Sequence, residues 1–201
     1  FVMSKLLLTT KQSANICFTI KLLKDNNNMY PKNYNSIILC GFMACGKSVL
    51  GKNLAARLKL PYLDTDELIS LQHKMSIPEI FAKEGEAKFR DYEKAAAEYI
   101  VKLPPHVIAG GGGMLAVKEN AEILKSSNII IHIDRDFKTI FDIISKDKNR
   151  PLAYKKDYNE IKKLYTSRIG LYRRNSHFSV NNSGAIKDCV ESILSKLSDF
   201  N

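Results

Sequence analysis

A glycine-rich segment at residues 41–48 constrains the fold of this chain more than any other feature. Its sequence, GFMACGKS, satisfies the pattern Gly-x-x-x-x-Gly-Lys-[Ser/Thr], between an apolar run at 37–40 and a helical periodicity at 47–60. A glycine such as Gly46 lets the backbone curl so that successive N–H groups face phosphate oxygens, and the positive end of the following helix adds to that field. The segment therefore predicts a strand, a phosphate-binding loop and a helix.

Two side chains at the end of this segment predict how a nucleotide is held. Lys47 would reach the β- and γ-phosphates of a nucleoside triphosphate, and the hydroxyl of Ser48 would ligate Mg²⁺. The alternative is a chance glycine-rich turn, which the full motif in its strand–helix context disfavours. The motif predicts nucleoside triphosphate binding and leaves the reaction open.

Short apolar runs alternate with longer amphipathic stretches from residue 35 onward. Predicted strands lie at 37–40, 62–63, 107–109, 129–133 and 178–180. Predicted helices lie at 47–60, 86–102, 137–145 after Asp136, 158–174 and 185–197, and one more begins after Ser76 and is stopped by Gly85. The alternation predicts an α/β fold whose parallel sheet is covered on both faces.

Length and composition indicate one globular domain. The chain has 201 residues, of which 45% are apolar and 26% charged, and no run approaches the roughly 18 uncharged apolar residues of a membrane-spanning helix. Residues 1–28 differ, because 1–20 contain no acidic residue and asparagines follow at 26–28. We expect 1–28 to be a disordered extension outside the core and 29–201 to be a single domain. A transit peptide is the alternative, although the segment has no arginine.

The net charge and the cysteines indicate which binding partners and which cellular compartment to expect. The formal charge of +10 suits either nucleic acid or the phosphates of a nucleotide with an acidic substrate. The lysines are scattered and no arginine-rich arm is present, so we expect no nucleic-acid partner. Cys17, Cys40, Cys45 and Cys189 form no Cys-x-x-Cys pair and indicate reduced thiols in a cytoplasmic protein, although Cys45 lies in the phosphate loop and could be oxidisable.

Acidic and basic residues follow in two short motifs. Asp64 and Asp66 flank Thr65 at the end of the second strand, and side chains two apart on an extended segment can face one cleft. A helix N-cap is the alternative for Asp64, and it is compatible with a site role. Arg90 and Glu93 are one helical turn apart, which permits either a surface ion pair or an arginine prepared for bidentate binding of a carboxylate.

Three further segments complete the pattern. The glycine run 110–113 ends the third strand, where a ligand can approach the backbone closely, although a flexible loop is the alternative. The polar segment 146–157 has no apolar periodicity and behaves as a lid, so that Arg150 could close on a transferring phosphoryl group. Arg168 is a second candidate for binding an anion, and a solvated surface position is the alternative for both arginines.

These motifs, in this order, resemble the shikimate kinase family across residues 36–197. The phosphate loop is shared with many kinases, but its combination with Asp-x-Asp, Phe-Arg-x-x-Glu, a glycine triplet, Arg-Pro-Leu and Arg-x-x-x-Tyr is specific. The resemblance implies a three-layer, nucleoside monophosphate kinase-like fold with a five-stranded parallel sheet. It also implies transfer of the γ-phosphoryl group of ATP to shikimate, giving shikimate 3-phosphate and ADP, by a cytoplasmic and monomeric enzyme of aromatic amino acid biosynthesis.

The resemblance also implies roles for residues on the ATP side. Lys47 and Arg150 would neutralise charge on the phosphoryl group, Ser48 would ligate Mg²⁺, and Asp64 would support the ion through water. The implied ATP-binding residues are Met43, Ala44, Cys45, Gly46, Lys47, Ser48, Val49 and Arg150.

On the acceptor side, the resemblance implies shikimate contacts by Asp66, Arg90, Gly112, Gly113 and Arg168. Arg90 and Arg168 would bind its carboxylate, Glu93 would orient Arg90, and the acceptor-binding helical region would span about 65–100. Asp66 would be the catalytic base or would mainly orient the attacking hydroxyl.

The sequence departs from the family pattern at a few positions. Ala44 and Cys45 replace the more common Gly-Ala or Gly-Ser pair, and Gly170 stands where proline is frequent. The arginine that often stacks on adenine has no clear counterpart, and Lys146 or Lys148 could substitute. A gluconate kinase of the same fold and a non-catalytic nucleotide-binding regulator remain the alternative functions.

Overall fold

The computed structural model describes residues 33–147 and 156–200. Five strands of this part form one parallel sheet in the order β2-β3-β1-β4-β5. The strands are β1 (Ile37–Cys40), β2 (Tyr62–Asp64), β3 (Val107–Ala109), β4 (Ile129–Asp134) and β5 (Phe178–Asn181). All five predicted strands are present. The predicted extension at 1–28 and residues 148–155 of the predicted lid lie outside the described residues.

The central strand shows why helices must surround this sheet. Ile37, Ile38 and Leu39 of β1 are all fully buried. Because successive side chains of a strand point to opposite faces, both faces of the sheet are covered. In register, Leu39 lies beside Ala109 of β3 and Ile131 of β4, so the apolar layer continues across the sheet. The predicted α/β architecture is confirmed.

The helices of the described residues connect these strands. They are α1 (Lys47–Leu58), α2 (Thr65–His73), α3 (Ile77–Lys83), α4 (Gly85–Ile100), α5 (Lys118–Lys125), α6 (Phe137–Ile144), α7 (Tyr158–Asn175) and α8 (Ile186–Leu197), with short 3₁₀ helices at Met114–Ala116 and Ser198–Phe200. Helices α1 and α8 pack against each other, whereas α5 and α7 contact β4. None of the helices in the described ranges is long and apolar enough to cross a membrane.

Local capping chemistry fixes several helix starts where the sequence predicts them. Ser76 and Glu79 form a capping box at α3, and the carboxylate of Asp136 accepts a hydrogen bond from the backbone at the start of α6. Two predicted boundaries are wrong. Lys59 adopts a left-handed conformation (φ 55°) and ends α1 at Leu58 rather than at residue 60, and α4 ends at Ile100 rather than at residue 102. Gly85, with φ 83°, directly follows Glu84, the C-cap of α3, and stops that helix as predicted.

Helix α5 has no counterpart in the sequence prediction, and α2 was indicated only by the N-cap alternative for Asp64 and by the helical region expected at about 65–100. Helix α5 has eight residues, and only Asn120, Ala121 and Leu124 of them are buried. The helix is shorter than the window of about 11 residues in which helical periodicity can be recognised, and no capping side chain marks its start at Val117.

Candidate active site

The carboxyl ends of β1 to β4 meet at one edge of the sheet and open into a cleft of about 330 Å³. Ligands of open α/β sheets bind at this edge, where loops rather than strands surround the ligand. The cleft is lined by Met43, Ala44, Gly46, Lys47, Ser48, Val49, Asp64, Asp66, Gly110, Gly112, Arg135 and Ile143. The predicted phosphate loop, the aspartate motif and the glycine run therefore face one space.

The phosphate loop depends on a left-handed glycine at its end. Gly46 has φ 101° and caps α1 with its backbone. A Cβ atom at this position would collide with the side-chain amide of Asn182, so only glycine fits. The same amide donates a 2.8 Å hydrogen bond to the carbonyl oxygen of Cys45. The loop is thus held from below by a residue far away in sequence, and from within by the N–H of Cys45, which donates a 3.3 Å hydrogen bond to the carbonyl oxygen of Phe42.

Cys45 does not line the cleft, although it belongs to the predicted ATP-binding set. Its side chain is fully buried beneath the loop. The sulfur lies 3.9 Å from the Nζ atom of Lys47. Any contact of Cys45 with a nucleotide therefore involves its backbone and not its thiol.

Lys47 is held by the loop itself. Its ammonium group donates hydrogen bonds of 3.0 Å to the carbonyl oxygens of Gly41 and Phe42. No carboxylate among the described residues forms a salt bridge with Lys47. Since neutral carbonyl groups bind an ammonium group less strongly than charged oxygens do, phosphate oxygens can replace them.

Asp64 gathers hydroxyl groups at the end of β2. Its Oδ2 atom accepts hydrogen bonds from the hydroxyls of Ser48 at 2.9 Å and Tyr62 at 3.2 Å. Its Oδ1 atom accepts from the backbone N–H of Asp66 at 3.0 Å and so caps α2. Burial, followed by the charge of Asp64, raises the pKa of Tyr62, so its hydroxyl stays a donor. The result is a compact set of oxygen ligands at the mouth of the phosphate loop.

Asp66 reaches the cleft by a different route from the one that the sequence suggested. The prediction assumed that Asp64 and Asp66 lie on one extended segment, and this is wrong because Asp66 is in the first turn of α2. Both residues nevertheless line the cleft, since α2 starts at its edge. Asp64 is therefore the N-cap of α2, and both carboxylates also line the cleft.

Arg90 is held between two carboxylates on α4. Its Nη1 atom lies 2.5 Å from Glu93 and its Nη2 atom 2.5 Å from Glu86. Glu93 is only 1% exposed, and burial raises its pKa, an effect that the guanidinium of Arg90 partly offsets. The second oxygen of Glu93, Oε1, is buried without a hydrogen-bond partner among the described residues. The buried charge of Glu93 therefore fixes Arg90 far more firmly than a surface ion pair would.

The glycine run is fastened to both sides of the site. The N–H of Gly111 donates a 2.7 Å hydrogen bond to the hydroxyl of the buried Thr65. A Cβ atom on Gly111 would lie 2.6 Å from Oδ1 of Asp66 and 3.1 Å from Oε1 of Glu93, so a larger residue cannot replace it. The two carboxylates thus approach the same glycine from α2 and α4.

The carbonyl oxygen of Gly112 receives two donors from α7. Arg168 donates from Nη1 at 3.4 Å, and the hydroxyl of the buried Tyr172 donates a short hydrogen bond. The guanidinium of Arg90 lies against Gly113, the next residue of the run. Arg90 and Arg168, separated in sequence by two strands of the sheet, are therefore brought to the same loop.

The described site contains nearly all the predicted residues and several more. Arg150 lies outside the described residues. Sequence reasoning did not single out Thr65, Tyr172 or Tyr62, whose hydroxyl groups hold other site residues. Thr65 stands between the two aspartates and Tyr172 within the last motif, so position in a motif was the only available signal. Arg135, which lines the cleft, gave no signal in the sequence.

Known proteins are similar to this chain both in sequence and in structure. A sequence model of the shikimate kinase family matches residues 43–198. The shikimate kinase of Macrococcus caseolyticus is 37% identical over 156 residues, which cover 78% of this chain and 92% of that protein. The solved structure of Acinetobacter baumannii shikimate kinase in complex with shikimate has a TM-score of 0.79 and 31% identity, covering 84% of this chain and 95% of that chain. For Aquifex aeolicus shikimate kinase these values are 0.73, 34%, 81% and 95%.

Proposed function

The chain belongs to the shikimate kinase family, and we propose that its cleft transfers the γ-phosphoryl group of ATP to the 3-hydroxyl group of shikimate. One observation carries the proposal for the site. Lys47 and Asp66 line the same cleft, and Asp66 meets Glu93, the partner of Arg90, at Gly111. A phosphate-binding cation, a carboxylate for an alcohol and a guanidinium for an acid are thus neighbours.

Recognition of the acceptor rests on Arg90 and Arg168. A guanidinium group matches the two oxygens of a carboxylate, and Glu93 leaves Arg90 little freedom to turn. Gly112 and Gly113 complete the acceptor site, because the lack of a side chain at Gly112 leaves the backbone accessible to a ring and the lack of one at Gly113 leaves room for the guanidinium of Arg90. The acceptor carboxylate would replace part of the contact that Arg90 makes with the more exposed Glu86.

The donor site consists of the loop residues Met43 to Val49. Their N–H groups and the start of α1 would bind the β- and γ-phosphates. Lys47 would exchange the carbonyl groups of Gly41 and Phe42 for phosphate oxygens and follow the charge of the phosphoryl group as it moves. Arg150 is proposed for the same task from the opposite side, on the basis of its Arg-Pro-Leu motif.

The residues around Asp64 fit a magnesium ion. Mg²⁺ prefers oxygen ligands and keeps several waters, so it is usually bound by one or two protein groups and by phosphates. Ser48 and Asp64 provide such oxygens 2.9 Å apart, with Ser48 as the direct ligand and Asp64 acting through water. No cluster of three or more His, Cys, Asp or Glu side chains in the described part of the chain could hold a metal by itself. When bound, the ion would neutralise charge on the β- and γ-phosphates.

Asp66 would act on the attacking hydroxyl. The hydroxyl oxygen forms a bond to the γ-phosphorus while the bond from that phosphorus to the bridging oxygen of ADP breaks. The hydroxyl proton passes to Asp66 and then to solvent. Because the transition state of phosphoryl transfer is loose, the main contribution of Asp66 is to orient the oxygen in line with the leaving group.

The organisation of the chain is part of the same proposal. Residues 29–201 would form one catalytic domain, with acceptor-binding helices at about 65–100 and a lid at about 146–157. The match of the family model to residues 43–198 supports this division. A monomeric enzyme is the expectation from the family resemblance. The cytoplasmic location remains an expectation from the family.

The proposal is tested by ADP release with Mg·ATP, with and without shikimate. We expect ADP release to depend on shikimate and on Mg²⁺, and the product to be phosphorylated at the 3-hydroxyl group by NMR. Gluconate serves as the control acceptor, because it also offers a carboxylate and hydroxyl groups. Turnover of gluconate without turnover of shikimate would reject the assignment, and ATP binding without ADP release would identify a non-catalytic protein.

A further inference from the structure

Arg135 is the one residue of the described cleft lining that carries a positive charge without belonging to the phosphate loop. It immediately follows β4, whose last residue is Asp134. The end of β4 contacts the phosphate loop, because a Cβ atom on Gly41 would lie 2.5 Å from the carbonyl oxygen of Ile133. The side chain of Arg135 therefore enters the cleft beside the loop that is proposed to bind ATP.

The guanidinium of Arg135 has an unsatisfied donor. Its Nε atom is buried and has no hydrogen-bond partner among the described residues. A buried donor without an acceptor costs free energy, and the cost is larger for a charged group. A protein retains such a group most readily where a ligand supplies the missing acceptor.

The acidic neighbours of Arg135 in the chain are occupied elsewhere. Asp134 lies 2.9 Å from Nη2 of Arg173 on α7. Asp136 accepts a 2.8 Å hydrogen bond from the N–H of Thr139 and caps α6. Neither aspartate forms a salt bridge with Arg135 in the described residues. The positive charge of Arg135 is therefore available to an anion in the cleft.

The remaining lining of the cleft indicates which part of a nucleotide Arg135 meets. Val49 and Ile143 are 52% and 42% exposed, and both line the cleft. Such apolar side chains suit a purine base, because the base is uncharged and can pack against them. The anionic part of a nucleotide is its polyphosphate, and a guanidinium binds phosphate oxygens through several parallel donors.

We propose that Arg135 binds the polyphosphate of ATP and ADP and supplements Lys47 as a second fixed cation of the donor site. This inference rests on the proposed use of ATP in the cleft, and it adds a residue to that site. The residue immediately follows β4, which lies between β1 and β5 in the sheet, and it is not part of the predicted lid. It can therefore contact the nucleotide before any lid movement, and its main effect is on nucleotide affinity.

The test measures nucleotide affinity directly, without turnover. Displacement of a fluorescent ADP analogue by Mg·ADP and by adenosine is measured for the wild type, Arg135→Ala and Arg135→Lys. Arg174→Ala is the matched control, because Arg174 is exposed and lines a separate cavity between α5 and α7. Thermal unfolding without nucleotide checks that each variant is folded.

We expect Arg135→Ala to weaken ADP binding by about 10- to 100-fold, while adenosine affinity stays within about twofold. Arg135→Lys should recover part of the loss, since it keeps the charge but not the Nε donor. Because the contact is electrostatic, the loss of ADP affinity in Arg135→Ala should be smaller at high salt. Arg174→Ala should match the wild type.

Two results would overturn the inference. Unchanged ADP affinity in Arg135→Ala would show that Arg135 does not contact the nucleotide. An equal loss for adenosine and ADP would assign Arg135 to the base or ribose and remove the phosphate contact. If the wild type binds ADP but does not phosphorylate shikimate, the proposed function fails while the result for Arg135 stands.

Discussion

The two halves of the cleft are built in different ways. The donor half, residues 41–49, is a continuous segment whose shape comes from backbone conformation, with left-handed geometry at Ala44 (φ 59°) and Gly46 (φ 101°). The acceptor half consists of Asp66, Arg90, Glu93, Gly111 to Gly113 and Arg168, which come from α2, α4, α7 and the loop after β3. One half is local and made of backbone, whereas the other is distributed and made of side chains.

This difference determines how each half resists change. Substitution by any residue except proline keeps the backbone N–H groups, so the donor half is sensitive mainly at the few side chains that carry charge. In the acceptor half, residues hold one another, since the carboxylate of Glu93 holds Arg90 and the hydroxyl of Thr65 holds the N–H of Gly111. A substitution in the acceptor half should therefore spread to neighbouring residues, and one in the donor half should stay local.

Replacing Lys47 by alanine tests the donor half and has the largest expected effect. The phosphoryl group would lose a cation that follows its charge through the transition state, so kcat should fall by about 1,000-fold or more. Shikimate affinity should change little, because Lys47 belongs to the donor half. Steady-state ADP release and shikimate binding by calorimetry give the two values. Lys163→Ala, at an exposed position of α7, is the control, and retained activity in Lys47→Ala would contradict the donor assignment.

Replacing Arg90 by alanine tests the acceptor half. The carboxylate of shikimate would lose a bidentate partner, and Glu93 would be left buried without its cation, so KM for shikimate should rise by about 100-fold. KM for ATP should stay within about twofold. Arg57→Ala is a suitable control, because Arg57 forms only an exposed contact of 3.7 Å with Glu191. An unchanged KM for shikimate would show that Arg90 does not bind the acceptor.

The same contrast explains what could be predicted from the sequence. The strands and the donor half follow from local patterns, namely apolar runs and a motif within eight consecutive residues. In the acceptor half, the sequence indicated separate candidates, such as Arg90 with Glu93 and the glycine run, but only the family resemblance assigned them to one site, because its contacts join distant residues. The bond from Gly111 to Thr65 spans 46 positions and that from Tyr172 to Gly112 spans 60. The hydrophobic periodicity of a sequence gives no information about pairs that are so far apart.

The errors have equally physical causes. Asp66 was expected on an extended segment, but the carboxylate of Asp64 accepts its N–H and starts a helix one residue earlier. Helix α5 was missed because it has only eight residues and no capping side chain at its start. Arg135 was missed because an arginine after a strand is ordinary in sequence, and only its buried Nε in the cleft makes it unusual.

Thr65 connects the two halves, since it lies between Asp64 and Asp66 and holds Gly111. Thr65→Val keeps the shape of the side chain but leaves the N–H of Gly111 buried without an acceptor, which costs about 1–3 kcal/mol of unfolding free energy. We expect KM for shikimate to rise by about tenfold as the glycine run shifts, with a smaller change for ATP. Thr65→Ser keeps the hydroxyl and should behave like the wild type. Equal changes for both substrates would show that the effect is not confined to the acceptor half.

His132 lies beneath both halves. The expected effect of replacing it is on the pH dependence of stability. It is fully buried in β4, its ring stacks on Tyr172 at 5.8 Å between centroids, and its Nδ1 atom lies 3.1 Å from the hydroxyl of Ser179. Burial lowers the pKa of His132 from 6.5 to about 4. The folded protein therefore keeps this histidine neutral where the unfolded chain protonates it.

The sign of the resulting pH dependence follows from this pKa. Below pH 6.5 the unfolded chain binds a proton that the folded protein does not, so the unfolding free energy decreases as the pH falls from 6.5 to about 4, by up to roughly 3 kcal/mol. His132→Phe keeps a stacking ring on Tyr172 and removes the titrating group. Urea unfolding at several pH values should give a flatter profile for His132→Phe over this range, even if the variant is less stable at pH 7. Parallel profiles for the two proteins would show that His132 is protonated equally in both states, and the core beneath the cleft would then be more accessible to water than its burial implies.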